Sequence, residues 1–410
     1  MIAAMARVLC AWELGGGTGH LYRLAAVANG LRARGHEVVF ALRDLARAAP
    51  ILGGDHAGIL QAPVWLHPSS LPPAANYAEL LDRVGYLDAG PLATLIGAWA
   101  RLLDAVAPDF LVADHAPTAL LAARLAGLRR AAVGTGFVIP PPVSPLPSIQ
   151  PWRAFAPERL ARAEAGVLDR VNRAVAALGG ARLARLADIF EGCAPLFCTF
   201  AELDHYGPRA GGRYVGPLVA PTRRGAVRWP RGDGPRVFVY YRARHAGFAA
   251  LFDALGKLGA TVLAVIDDAD EAVIQRHGGP SVAIARDHLD LAAAAREARF
   301  AICHAGHGAV IELLRGGCPV LMVPVVVEQA LLAHRATRAG LGLAIGARRP
   351  ADEFSAAMTR MLETPALAEN ARAFAARHAG HDPERALGEI AERLDALAGG
   401  DVVREASGEG

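Results

Sequence analysis

The sequence has 410 residues, too many for one ordinary hydrophobic core, so we expect two domains. An apolar fraction of 53% is typical of packed α/β layers and excludes a disordered chain. The 43 basic and 40 acidic residues nearly cancel, leaving a net charge of +3, and no basic run is interleaved with aromatic residues, so we expect no nucleic-acid partner.

The N-terminal residues and the cysteines bear on where the protein works. Residues 1–7 carry no basic run, and Glu13 interrupts the apolar stretch that follows, which argues against a signal peptide. No window offers ~18 apolar residues without charge, so no transmembrane segment is expected. Five cysteines without CxxC spacing indicate buried thiols in a reducing compartment, and we expect a cytoplasmic protein.

The first half opens with a βαβ pattern. A short apolar strand (Arg7–Trp12) leads through the glycine turn 15–20 into a helix (Leu21–Arg34), and a second strand follows (Glu37–Leu42). This order predicts a parallel sheet with helices on its faces. A later strand ends in Asp114, at the edge where open α/β sheets bind ligands.

Proline and glycine mark the boundaries along the chain. The proline-rich run 140–147 is predicted to be an extended loop, and a helical stretch follows it through Ile189. The second half restarts with a strand (Arg236–Tyr241) and a helix (His245–Leu258). The predicted division is 1–218 and 236–383 for two domains, 219–235 for a linker, 384–400 for a C-terminal helix and 401–410 for a flexible tail.

The segment 303–312 carries the most informative pattern of the second half. It follows an apolar strand and passes through small residues into a predicted helix (Val310–Arg315). A helix that begins in this way offers backbone N–H groups and the positive end of its dipole to a phosphate. Glycine-rich turns of this kind also occur for steric reasons alone.

Several side chains in and after this turn suit a nucleotide sugar. Gly306 and Gly308 allow a ligand close to the backbone, and His304 and His307 can donate to phosphate oxygens. Glu312, one turn further on, is placed to accept from a sugar hydroxyl.

The order of these motifs resembles the GT-B glycosyltransferases of the UDP-glycosyltransferase superfamily, including bacterial UDP-glucosyl- and glucuronosyl-transferases. The turn, two later prolines and the pair Glu328-Gln329 are similar to the family's His-x-Gly-x-Gly-Thr-x-x-Glu, Pro, Pro and Asp/Glu-Gln. In the first half, Gly19-His20, Gly35 to Val38, Pro108 to Asp114 and Tyr214 to Leu218 follow the family's order. The resemblance implies an α/β protein of GT-B fold, with two doubly wound Rossmann-like domains facing a cleft.

The resemblance also implies roles for individual residues. His20 matches the general base that deprotonates the acceptor hydroxyl, and Asp114 matches the acid that orients this imidazole. The alternative for His20 is that it caps the first helix or packs in the turn, and the alternative for Asp114 is that it caps the loop that begins at His115. The donor-binding positions that match the family are His304, Gly306, Gly308, Ala309, Glu312, Glu328 and Gln329. For Glu328-Gln329 the alternative is a solvated helix start, and for His307 a solvated turn residue.

Some positions depart from the family pattern. Ala309 stands where the family usually has Thr or Ser, so a phosphate-facing hydroxyl is missing. The loop after the first strand of the second domain carries Arg242 and Arg244 instead of Gly-Ser/Thr, and we expect these arginines to bind phosphate in its place. Arg23 replaces a proline three residues after His20.

No metal site is predicted. Asp267-Asp268-Ala269-Asp270 imitates a DxD metal motif but is interpreted as a loop with helix-capping carboxylates. His304 and His307 are three residues apart without a third ligand nearby.

The sequence thus predicts an inverting, metal-independent hexosyltransferase. Its donor is expected to be a UDP- or dTDP-sugar, with no further cofactor, and its acceptor a small lipophilic or natural-product molecule. Two alternatives remain: a nucleotide-sugar-binding protein without turnover, and a nucleotide-sugar epimerase, for which the catalytic carboxylates are not recognisable.

Overall fold

Two compact units make up the computed structural model, which describes residues 5–52, 58–218 and 225–399. The first unit comprises residues 1–220 and 382–410, and the second comprises residues 221–381. Each unit is built around one six-stranded sheet whose paired strands run parallel. The prediction of two doubly wound parallel sheets is therefore confirmed.

The sheet of the first unit has the strand order β3-β2-β1-β4-β5-β6. Its strands are β1 (Arg7–Trp12), β2 (Glu37–Leu42), β3 (Ile59–Gln61), β4 (Phe110–Asp114), β5 (Arg129–Gly134) and β6 (Cys193–Phe197). The helices between them are α1 (Gly19–Arg32), α2 (Leu45–Leu52), α3 (Tyr77–Leu81), α4 (Ala89–Val106), α5 (Pro117–Leu125) and α6 (Pro157–Ala177).

Alternation along β1 divides the core of the first unit between the two faces of the sheet. Val8, Cys10 and Trp12 belong to the cluster that contains the apolar residues of α1. Leu9 and Ala11 belong to the cluster that contains those of α4, α5 and α6. Successive side chains of a strand point to opposite faces, so a strand covered on both sides is apolar along its buried length, as β1 is from Val8 to Trp12.

The sheet of the second unit has the strand order β12-β11-β10-β7-β8-β9. Its strands are β7 (Arg236–Tyr241), β8 (Thr261–Ile266), β9 (Val282–Ala285), β10 (Phe300–Cys303), β11 (Val320–Met322) and β12 (Gly342–Ala344). Its helices are α7 (Phe248–Lys257), α8 (Glu271–His277), α9 (Leu291–Glu297), α10 (His307–Arg315), α11 (Val327–Arg338), α12 (Ala351–Glu363) and α13 (Pro365–Arg377).

The last helix, α14 (Pro383–Gly399), packs on the first unit. Ile390 and Leu394 are fully buried in the same cluster as the apolar residues of α1. Asp395 accepts a hydrogen bond of 2.5 Å from Nε2 of His36, which follows α1. Residues 219–224 of the predicted linker and the predicted tail 401–410 lie outside the described residues.

Element boundaries differ from the sequence prediction at several ends. The predicted helix through Ile189 ends at Ala177, because Gly179 follows with a φ of +77° and turns the chain. Helix α7 begins at Phe248 rather than His245, after Gly247 with a φ of +84°. Helix α10 begins at His307, so the histidine lies in its first turn.

Candidate functional sites at the two sheet edges

The loop after β1 places His20 at the carboxyl edge of the first sheet. His20 is the second residue of α1, and its ring stacks on Trp12, the last residue of β1, with centroids 5.4 Å apart. Gly15 has a φ of +88°, and a Cβ there would lie 2.6 Å from His20 Nε2. The glycine turn therefore keeps a space open at Nε2 that any other residue would fill.

Strand register brings Asp114 to His20. Trp12 and Asp114 are direct neighbours on the parallel strands β1 and β4. Asp114 Oδ1 lies 2.8 Å from His20 Nδ1, and the carboxylate is fully buried. The two residues that the sequence analysis paired thus meet, although they are 94 positions apart.

Arg23 completes a buried group of three side chains. Its Nε donates to Asp114 Oδ2 at 2.8 Å, and its Nη2 lies 3.3 Å from Oδ1. Burial alone would raise the pKa of Asp114, but the Arg23 guanidinium, with His20 next, outweighs burial and holds the pKa below its usual value. Arg23 departs from the family pattern, and its contact with Asp114 was not predicted from the sequence.

His115 follows Asp114 and is close to the same group. Its backbone has a φ of +51°, and its ring centroid lies 6.0 Å from that of His20. Burial, followed by the charge of His20, lowers the pKa of His115 to about 3, so its imidazole is neutral at physiological pH.

Glu13 and Thr118 form a second polar contact at this edge, which the sequence analysis did not find. Glu13 is fully buried and accepts from the backbone N–H and the hydroxyl of Thr118 at 2.9 and 2.5 Å. Burial raises the pKa of Glu13 to about 7, against the lowering effect of these hydrogen bonds. The available signal was the position of a carboxylate directly after a buried strand.

In the second unit, the turn after β10 opens α10. Gly306 is the N-cap residue and provides no side chain to cap the helix, and His307 is the first helical residue. The N–H groups of the first turn, Gly308 and Ala309 among them, lack partners within the helix, as at any helix N-terminus. Gly308 is exposed and Ala309 is buried. This geometry can bind a phosphate.

His304 lies under this turn among aromatic and imidazole rings. Its ring centroid is 5.3 Å from that of His245 and 5.6 Å from that of Tyr240. Burial, followed by the charge of His245, lowers the pKa of His304 to about 4. A neutral imidazole can still donate one N–H to an anion. The sequence analysis did not identify His245 as a neighbour of His304.

Two carboxylates shape the loop that carries Arg242 and Arg244. Asp267 accepts from Arg242 Nε at 3.2 Å, and Asp268 accepts from the backbone N–H of Ala243 at 2.6 Å. Arg244 Nε lies 3.5 Å from Asp268. The segment 267–270 was predicted to hold helix-capping carboxylates. Asp270 does cap α8, by accepting from Val273 N–H at 2.8 Å, whereas Asp267 and Asp268 contact the β7 loop.

A cavity of about 580 Å³ opens beside this loop. Its charged and polar lining consists of Arg244 and His245 from the loop after β7, and of Arg348 and Arg349 from the segment after β12. The lining residues are Arg244, His245, Ala246, Pro324, Val325, Gly346, Ala347, Arg348 and Arg349. The cavity therefore lies at the carboxyl edge of the sheet and is bordered by cations.

The remaining predicted donor residues lie on α10 and α11. Glu312 is an ion-pair partner of Arg315, with Oε1 3.3 Å from Nη1. Glu328 and Gln329 are in the first turn of α11, and Gln329 Oε1 accepts from the Val325 N–H at 2.9 Å. Because β10 lies between β7 and β11, the loops that carry all the predicted donor residues are neighbours at one edge.

Within residues 5–52, 58–218 and 225–399, no group of three or more His, Cys, Asp or Glu side chains could hold a metal ion. In that same part of the chain, no helix has the length and apolar character needed to cross a membrane.

Comparisons with known proteins find similarity to glycosyltransferases. Residues 266–382 match the glycosyltransferase family 28 C-terminal domain. A PGL/p-HBAD biosynthesis glycosyltransferase of Mycobacterium tuberculosis (strain ATCC 25177 / H37Ra) is 27% identical over 290 residues, which cover 65% of this chain and 66% of that protein. A PGL/p-HBAD biosynthesis rhamnosyltransferase of Mycobacterium bovis (strain BCG / Pasteur 1173P2) is 26% identical over 352 residues, 80% of this chain and 75% of that protein.

A solved structure shows the same fold. The glycosyltransferase VinC, in complex with dTDP, superposes with a TM-score of 0.61 at 16% identity, over 94% of this chain and 100% of that one. The chain therefore has the GT-B fold, with two parallel sheets, and its residues 266–382 are similar to the family 28 C-terminal domain. The match spans about two thirds of the length of the mycobacterial glycosyltransferase.

Proposed function

We propose that the chain is an inverting glycosyltransferase that moves a hexosyl group from a UDP- or dTDP-sugar to an acceptor hydroxyl. The observation that carries this proposal is the 2.8 Å contact between His20 and a fully buried Asp114 at the carboxyl edge of the first sheet. An aspartate that accepts from Nδ1–H leaves Nε2 as the basic atom, and Gly15 leaves space beside it.

In the proposed reaction, His20 Nε2 removes the proton from the acceptor hydroxyl. The oxygen then attacks the anomeric carbon, the bond to the diphosphate breaks, and the anomeric configuration inverts. His304 and the first turn of α10 bind the departing nucleoside diphosphate, whose negative charge is favoured at a helix N-terminus. Glu312, Glu328 and Gln329 bind the ribose and sugar hydroxyls.

The family 28 domain, a rhamnosyltransferase relative and the dTDP complex of VinC support a donor of this kind.

A panel of UDP- and dTDP-sugars tests the proposed function. We expect release of free nucleoside diphosphate that depends on an added acceptor and produces a glycoside of opposite anomeric configuration. Tight nucleotide binding without turnover for any acceptor would instead indicate a binding protein. Conversion of the donor sugar without transfer would indicate an epimerase.

Transfer is expected to continue in EDTA at an unchanged rate. The expected physical reason is that cationic side chains and helix N–H groups take the place of a divalent ion at the diphosphate. Asp267 and Asp268, the residues that most resemble a metal motif, are already engaged by Arg242 and the backbone of Ala243. The measurement is the initial rate after dialysis against EDTA, with Mg²⁺ and Mn²⁺ added back. Activity that returns only with the added metal would contradict this prediction.

Arg242→Ala and Arg244→Ala are each expected to weaken UDP or dTDP binding by about tenfold, equivalent to ~1.4 kcal/mol. A guanidinium has five N–H donors, so the contacts with Asp267 and Asp268 leave others for a phosphate. Ala309→Thr should partly restore the affinity, because it adds a hydroxyl to the first turn of α10. Calorimetric dissociation constants measure the effect, with Arg360→Ala, an exposed arginine on α12, as the matched control. Unchanged nucleotide affinity in both arginine variants would show that the arginines of this loop do not replace the hydroxyl that is missing at Ala309.

A further inference from the structure

Arg23 lies beside Asp114, where its charge favours the ionised form of that carboxyl group. The carboxylate is fully buried, and the Arg23 side chain is itself only 11% exposed. The guanidinium contacts both carboxylate oxygens, Oδ2 at 2.8 Å and Oδ1 at 3.3 Å. His20 Nδ1 lies 2.8 Å from Oδ1 and 3.5 Å from Arg23 Nη2. Asp114 is thus held from two sides, by one permanent cation and one titratable ring.

The permanent cation matters because a buried carboxylate avoids its charged form when it has no partner. Of the two partners, His20 must be neutral to act as a base, so it gives Asp114 no charge at that stage. Arg23 remains charged at every relevant pH. Burial raises the pKa of Asp114, and the Arg23 guanidinium together with His20 more than reverses that effect.

Protonation of Asp114 would invert the hydrogen bond to His20. A carboxylate accepts a hydrogen bond from Nδ1–H and leaves the lone pair on Nε2. A carboxylic acid would donate to Nδ1, and the ring proton would then lie on Nε2, where no base function remains. Other groups near the cluster are His115, which is neutral at physiological pH, and Cys198, whose pKa burial raises to about 12.

We propose that Arg23 is a positioning residue that fixes the Nδ1–H tautomer of His20 through Asp114. The tautomer of His20 is a property of the ligand-free protein and does not depend on the proposed function. The effect of the tautomer on the transfer rate does rest on the proposed function. Arg23 has no direct part in the reaction; it keeps the acid ionised and oriented, and the acid keeps Nε2 basic.

Nitrogen NMR of the ligand-free protein tests the tautomer directly. With ¹⁵N-labelled histidine, and with His20→Asn to assign the signal, the wild type is expected to show a protonated Nδ1 and an unprotonated Nε2. Arg23→Gln should shift the population to a protonated Nε2, while Arg23→Lys, which keeps the charge, should retain the wild-type pattern. An unchanged Nδ1–H signal in Arg23→Gln would overturn the proposal.

Kinetics test the consequence and separate it from a general structural effect. We expect Arg23→Gln to lower kcat by about 10²-fold, within the range of general base catalysis, without changing the nucleotide dissociation constant. Arg23→Lys should recover most of the lost rate. If the NMR result is as expected but no donor is turned over by the wild type, the proposed function fails and the tautomer assignment stands.

A double substitution makes the test independent of folding. Arg23→Gln alone leaves a buried carboxylate without its cation and can lower stability, whereas Asp114→Asn together with Arg23→Gln removes both charges. Because Arg23 acts through Asp114, its substitution should have no further effect on kcat in the Asp114→Asn background. Additive losses in the double variant would show that Arg23 acts by another route and would overturn the proposal.

Discussion

Replacing His20 by alanine is expected to lower the transfer rate by ~10²–10⁴-fold, the range found when a general base is lost. The nucleotide dissociation constant should change by less than about twofold, because the base contacts the acceptor and the predicted donor residues all belong to the other unit. Single-turnover rates with saturating donor measure the first effect, and calorimetry with UDP and dTDP measures the second.

His67→Ala is the matched control for this prediction. His67 lies in an exposed loop of the same unit, and its ring contacts Trp65 rather than the sheet edge. Its loss should leave the rate unchanged. Turnover that survives in His20→Ala, or donor affinity that collapses with it, would be incompatible with a base that serves only the acceptor.

Asp114→Asn is expected to have an effect at least as large, a ~10³–10⁴-fold loss in kcat, as for the same substitution in a hydrolase triad. The amide has nearly the same shape but no charge, so it no longer favours the Nδ1–H tautomer or stabilises the imidazolium that forms during proton transfer. It also removes the counter-charge that Asp114 supplies to the buried Arg23. Steady-state kinetics at several pH values, with donor and acceptor saturating, are the measurement.

The control for this substitution is Asp104→Asn on the exposed side of α4. It makes the same chemical change where water can solvate either side chain, so the rate should not change. If Asp114→Asn retained more than about a tenth of the wild-type kcat, ionisation of this acid would not be required for catalysis, and His20 would need another explanation.

The two-sheet fold could be predicted because its local signals agree with one another. Apolar strands alternate with amphipathic helices, and glycines stand where the chain must turn. The meeting of His20 with Asp114 was also foreseeable, since His20 follows one strand and Asp114 ends another, and parallel strands end at the same edge. The structure adds that these strands, β1 and β4, are neighbours in register, which places Trp12 beside Asp114.

The partners of charged side chains could not be predicted in the same way. Arg23 and Asp114 are 91 residues apart, and Arg242 and Asp267 are 25 apart. Such pairs depend on which rotamer each long side chain adopts once the strands are assembled, and no periodicity in the sequence encodes that choice. For the same reason the carboxylates of 267–268 were interpreted as caps, although they anchor the β7 loop.

The packing partner of the C-terminal helix likewise could not be predicted from the hydrophobic pattern of that helix. An apolar stripe shows that a helix packs on something, but not on which of two sheets. The contacts of Ile390 and Leu394 with the α1 side of the first sheet resolve this.

That attachment has a consequence for the order in which the protein can fold during synthesis. The second unit is continuous, so all its strands and helices are available to it once residues 221–381 have left the ribosome. The first unit is translated earlier but must wait, with the α1 side of its sheet incompletely covered, until α14 has been made. The part of the chain that carries His20 is therefore the last to acquire its complete core, and a nascent chain stalled before Pro383 would expose that apolar surface to chaperones.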